Sequence, residues 1–96
     1  GTMDGDFKAV NAVTGKELWK THFDSGLIGN PITYLGPDGK QYVAVYEGVG
    51  GWAGAIVPGN LSPDDGYAAL GAVNAMKDLP DHTKPGGALH VFVLSQ

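Results

Sequence analysis

The residues of this chain best suited to chemistry lie in one short run. "EGVGGWAGAIVPGN", Glu47 to Asn60, brings Gly50, Gly51 and Trp52 together directly after the apolar run "QYVAVY". Glycine has no Cβ, so main chain can come close to another group there, and an indole offers a flat apolar face. The combination suits a wall against a flat ligand or a small apolar substrate. It suits equally well a glycine-rich turn beside a core tryptophan, and residue types alone leave both readings open.

The remaining candidates are weaker. Asp64 and Asp65 form a carboxylate pair, the raw material of general acid and base work. They follow Ser62-Pro63 at a helix start, however, where acids complement the helix dipole and stay solvated. Asp81-His82 could pass as an acid–base couple, but neighbours on an extended loop point apart. His22, His82 and His90 do not have the spacing of metal ligands. Asn30, before Pro31, fits a structural turn or a loop residue turned inward, and Leu70 fits a core. Asn60-Leu61-Ser62 formally matches a glycosylation acceptor, with Pro63 directly behind it. Residue types alone thus leave Gly50, Gly51 and Trp52 as the best candidates, with no catalytic residue and no metal ligand.

Composition limits what such a site can serve. Six basic against ten acidic residues give a net charge of −4, which disfavours an electrostatic nucleic-acid surface. No apolar run approaches the roughly 18 residues of a membrane-spanning helix. Zero cysteines exclude disulfides, thiolate metal sites and cysteine nucleophiles. Residues 1–7, "GTMDGDF", show no leader pattern, and with Met only at position 3 they do not speak to compartment. Ninety-six residues suffice for one small domain and not for two.

The elements that must carry these residues read as short strands. Sixteen glycines disfavour a helical bundle and suit strands joined by tight turns. Asp4-Gly5 turns into a strand near Phe7–Asn11. Thr14-Gly15-Lys16 turns into a second, Glu17 to Phe23, whose imperfect alternation leaves its faces unassigned. Ile32–Leu35 and Gln41–Tyr46 flank Gly36-Pro37-Asp38-Gly39 as a hairpin. Tyr42 to Tyr46 is apolar on both faces, the pattern of a strand buried on both sides. From about Pro63 to Asp78 the texture turns helical and Pro80 ends it; "DHTKPGG" reads as a loop and "ALHVFVLS" as a last strand. Gly5-x-Phe7-x-Ala9 echoes Gly87-x-Leu89-x-Val91, a faint sign of repetition.

At "AVNAVTGKELW" a pattern emerges. Ala9, Asn11, Thr14, Gly15 and Trp19 resemble the tryptophan-docking repeat of quinoprotein alcohol dehydrogenases, with Asn11 at the usual aspartate. "GTMDGDFKAV", "GNPITY", "GKQYVAVYEGVGGWAG", "AALGAVNAMKDLP" and "GGALHVFVL" then follow in an order similar to the C-terminal part of the large, catalytic subunit of the pyrroloquinoline quinone (PQQ)-dependent methanol dehydrogenases. The resemblance covers essentially the whole chain, and the "VPGNLSPDDGYAALGAVNAMKDLP" segment is closer to the lanthanide-dependent than to the calcium branch.

It implies an all-β fold. The chain, 1–96, would be a single fragment holding the C-terminal blade or blades of an eight-bladed β-propeller, with a short helical insertion near 63–78. A docking tryptophan would sit between blades. The full subunit would oxidise a primary alcohol to an aldehyde with PQQ and a lanthanide or calcium ion. It would pass electrons to a c-type cytochrome in the periplasm, as a homodimer without nucleic acid or membrane span. Gly50, Gly51 and Trp52 would line the quinone and substrate pocket. Asp6 departs from the aromatic usual in those enzymes. The family's metal ligands and catalytic base have no counterpart here, so the lone chain is expected to be inactive, to bind no cofactor, and to have unpaired sheet edges. The rival from the residues alone is a non-enzymatic β-rich interaction module that binds its partner through the glycine run.

Overall fold

The computed structural model describes residues 1–50, 56 and 75–95. Among the described residues five strands make two antiparallel sheets. β1 (Asp6–Val10) and β2 (Glu17–His22) form a two-stranded hairpin; β3 (Ile32–Leu35), β4 (Gln41–Glu47) and β5 (Ala88–Val93) form a three-stranded sheet in that order. Each strand falls within about two residues of its sequence expectation. The helical reading of 63–78 lies mostly outside the described residues.

Turn chemistry explains why the hairpins close where they do. Asn11 begins the first turn: its side-chain oxygen accepts from the Val13 and Thr14 N–H groups, each at 2.9 Å. Its main-chain carbonyl accepts from Gly15 N–H at 2.8 Å, and Gly15 stands at φ +73°, which a side chain would resist. An amide thus does what the expected aspartate would do, because both supply the acceptor. In the second turn Asp38 holds Lys40 N–H at 3.1 Å and the Tyr42 hydroxyl at 2.6 Å. Tyr42 in turn stacks on Tyr34 at 5.4 Å.

Register settles the faces of β2 that alternation left open. Asp6 pairs with His22, Phe7 with Thr21, Lys8 with Lys20 and Ala9 with Trp19, followed by an irregularity between Ala9 and Val10. Phe7, Trp19 and the following Phe23 therefore gather on one side. Asp6, Lys20 and His22 gather on the other, with Lys20 Nζ 3.0 Å and His22 Nδ1 2.8 Å from the Asp6 carboxylate. First His22 and then Lys20 hold Asp6 below the usual carboxylate range. An aspartate suits this position because it faces outward, onto both Lys20 and His22.

The aromatic side of the hairpin packs against β5. Phe92 lies 5.1 Å from Trp19, 5.9 Å from Phe7 and 6.3 Å from Phe23, measured between ring centroids. Phe7, Leu27 and Val45 are the buried centre, with Phe23, Val43 and Phe92 packed on it. Trp19 meets Phe92 of the three-stranded sheet edge-on at 72°.

Three expectations are corrected. β4 is not buried on both sides along its length: Ala44 and Val45 are, whereas Tyr46 is 69% exposed. The echo between Gly5 and Gly87 is out of phase, since β5 turns Ala88, His90 and Phe92 inward and leaves Leu89 and Val91 out. Finally, "DHTKPGG" is not a loop from its start: Asp81 and His82 belong to the short helix α1 (Leu79–His82), and Pro80 sits in its first turn, where a missing N–H costs nothing.

Candidate functional site

The candidate run begins where β4 ends, and the described part of it is a tightly built corner. Glu47, the last residue of β4, turns its carboxylate toward two partners. Oε1 accepts from Ser25 N–H at 2.9 Å, and Oε2 lies 2.7 Å from His90 Nε2 on β5. The Phe23 ring lies flat on the His90 imidazole, 4.1 Å between centroids and 14° between planes, fixing the ring that faces Glu47. His90 in first place, aided by Ser25 N–H, holds the Glu47 carboxyl below the usual carboxylate range against the opposing effect of burial.

Around this pair three stretches of chain meet. The Ser25 side chain, 1% exposed, donates to the Lys84 carbonyl. Gly26 N–H donates to Thr83 Oγ1 at 2.7 Å, and the Gly26 carbonyl accepts from Gly48 N–H at 2.8 Å. Leu27 and Gly48 form a parallel bridge. Gly48 has φ +142°, and a Cβ there would lie 2.5 Å from the Gly86 carbonyl oxygen, so backbone passes backbone with no room for a side chain.

Gly50 lies just beyond this corner, exposed, and a Cβ on it would meet nothing within 4 Å among the described residues. Gly51 and Trp52 lie outside the described residues, as do Asp64, Asp65 and Leu70.

The other candidates fall apart as sites. Each histidine has its own carboxylate: His22 with Asp6, His82 with Asp4 at 3.3 Å, and His90 with Glu47. Asp81 and His82 are thus not a couple. Among the described residues no three His, Cys, Asp or Glu side chains come together to hold a metal ion. Asn30 is exposed at the rim of a shallow groove of about 360 Å³ lined by Ile32, Tyr34, Tyr46, Leu89 and Val91. A second cleft of about 310 Å³, beside Phe7, Trp19 and Phe92, is apolar space between the sheets. Sequence reading missed the Glu47–His90 pair. A carboxylate ending an apolar strand before a glycine run was the available signal, but His90 is far away in sequence.

Comparison with known proteins follows from this architecture. Residues 1–43 match the family described as "PQQ: Glucose/ethanol/alcohol dehydrogenase, beta-propeller domain". The antiparallel sheets of the described residues agree with it, and the fold is that of part of a β-propeller. Along the chain the likeness is to methanol dehydrogenases. It is 62% identical, over 98% of its length, to a lanthanide-dependent methanol dehydrogenase of Methylacidiphilum fumariolicum (strain SolV), of which it covers 16%. It is 49% identical, over 98% of its length, to methanol dehydrogenase [cytochrome c] subunit 1 of Methylobacterium organophilum, of which it covers 14%. Its fold matches a solved europium-containing methanol dehydrogenase with a TM-score of 0.81 and 62% identity, covering 98% of this chain and 17% of that one. The chain thus spans about one-sixth of the length of these relatives.

Proposed function

We propose that this chain is the C-terminal part of the catalytic subunit of a PQQ-dependent methanol dehydrogenase, in which Gly50, Gly51 and Trp52 form one wall of the quinone and substrate pocket. The observation that carries the reading is the likeness to lanthanide-dependent and cytochrome-c-linked methanol dehydrogenases along 98% of the chain. The open main chain at Gly50 fits a flat group lying against it. PQQ, when bound, supplies the two-electron acceptor for alcohol oxidation. The lanthanide or calcium ion of this reading would be held by other parts of the subunit. This chain's share of the work is to bound the chamber on one side, exclude water and orient a small primary alcohol. Electron transfer to a c-type cytochrome, a periplasmic setting and a homodimer follow from the same reading.

The test is reconstitution. The full-length polypeptide carrying this sequence, loaded with PQQ and a lanthanide or calcium ion, should reduce an artificial dye with methanol, and the 96-residue chain alone should not. Turnover by the short chain, or none by the loaded full-length protein, overturns the reading. An intact mass of 9.9 kDa for a well-folded natural protein would instead favour the interaction module.

A further inference from the structure

We propose that Glu47 is a positioning residue: its carboxylate, gripped by Ser25 N–H and His90, fixes the course on which the chain leaves β4 through Gly48 toward Gly50. The inference deepens the pocket-wall reading and rests on it for its kinetic consequence, though not for its structural one.

The geometry is more than a strand end requires. Both Glu47 oxygens are engaged, at 2.9 Å and 2.7 Å, and the side chain is 13% exposed. The two partners come from different places, Ser25 from the β2–β3 connection and His90 from β5. Each partner is itself fixed, Ser25 by the Lys84 carbonyl and His90 by the Phe23 ring. Gly48, the next residue, is held in turn by the Gly26 carbonyl and confined by the Gly86 backbone. The direction of the outgoing chain is thus set from three sides within two residues.

A largely buried carboxylate is a poor means merely to stabilise such a corner. Taking a carboxylate out of water offsets much of the attraction to its partner, and apolar replacements of similar volume often stabilise as well. What a carboxylate offers is directional: two acceptor oxygens that specify two donors at once. The arrangement suits selection of one path for the backbone over its alternatives.

The experiment uses the full-length protein with Glu47→Gln, Glu47→Ala and His90→Gln. The readouts are KM and kcat for methanol, the melting temperature, and amide hydrogen exchange at Gly48–Gly50 by mass spectrometry. Glu47→Gln keeps an acceptor for Ser25 N–H and should fold. Misplacing a substrate wall by a fraction of an ångström should raise KM by about tenfold in Glu47→Ala, with kcat less affected. Glu47→Gln should recover much of that loss. Exchange at Gly48–Gly50 should quicken in Glu47→Ala and His90→Gln while the strands stay protected. Unchanged exchange at Gly48–Gly50 in folded Glu47→Ala overturns the positioning role whatever the activity. Quickened exchange with an unchanged KM leaves the corner as described and overturns its link to the pocket. Absence of methanol oxidation in the wild-type protein overturns the pocket reading alone, and the exchange readout then decides this one.

Discussion

Phe92 of β5 receives the edge of the Trp19 indole at 5.1 Å, and through this contact the β1–β2 hairpin is docked on the neighbouring sheet. Since Trp19 is 42% exposed, only part of its area is out of water. Trp19→Ala should therefore cost about 2 kcal/mol, below the 3–5 kcal/mol of a fully buried aromatic. A double-mutant cycle with Phe92→Leu should yield a coupling of about 1 kcal/mol. Urea denaturation of the four proteins measures it, and additive effects would refute the docking role.

Stability should fall in acid through Glu47. Its folded pKa is lowered below the ordinary 4.5, chiefly by His90. The carboxylate's contribution is therefore complete above the unfolded value and is lost as pH falls through the lower folded one. The window lies below pH 4.5. Urea midpoints should drop from pH 5 to pH 3 more steeply in the wild type than in Glu47→Gln. Parallel curves would show that Glu47 is not the group responsible.

Two glycines two residues apart should respond in opposite ways. Gly48→Ala must abandon φ +142° and push against the Gly86 carbonyl, a cost of about 2–3 kcal/mol visible as a lower melting temperature. Gly50→Ala meets nothing among the described residues and should leave melting unchanged. If Gly50 borders the pocket, its added methyl should still raise KM for methanol in the full-length enzyme. A normal KM there would remove Gly50 from the wall.

Asn11 gives a chemical test of the first turn. Removing its side-chain acceptor in Asn11→Ala frees the Val13 and Thr14 N–H groups and should cost about 1 kcal/mol. Asn11→Asp keeps the acceptor and should be nearly neutral, as thermal melts of both variants can show. Equal losses in both would mean that the amide N–H₂ matters instead.

What was legible in the sequence was local. Asp4-Gly5, Thr14-Gly15 and Pro37-Asp38-Gly39 mark turns because their chemistry acts over two to four residues, and the strands between them follow. The division into a pair and a triplet of strands was not legible, nor was the inward phase of β5. Both are decided by pairing across the chain, where Glu47 meets Ala88 and Tyr42 meets Val93. The same distance hid the Glu47–His90 pair. Gly50, Gly51 and Trp52 were singled out by type and resemblance, yet the requirement for glycine at Gly48 appears only once Gly86 lies beside it. The start of "DHTKPGG" shows the converse: its composition reads as loop, yet Asp81 and His82 complete the helix α1 that Pro80 helps to open.

The clamp linking Ser25 and Gly26 to Lys84 and Thr83 joins residues 59 and 57 positions apart. Its consequence is one of timing. Both hairpins close through short turns, whereas β5 reaches β4 only after about 40 intervening residues have been gathered in, an entropic toll that grows with loop length. The hairpins should thus form early and the seam around His90 late, on the native side of the folding barrier. Weakening that seam would then hasten unfolding while scarcely slowing folding, which stopped-flow rates for His90→Gln can establish. The corner beside the glycine run would be the last part of this chain to assemble and the first to open.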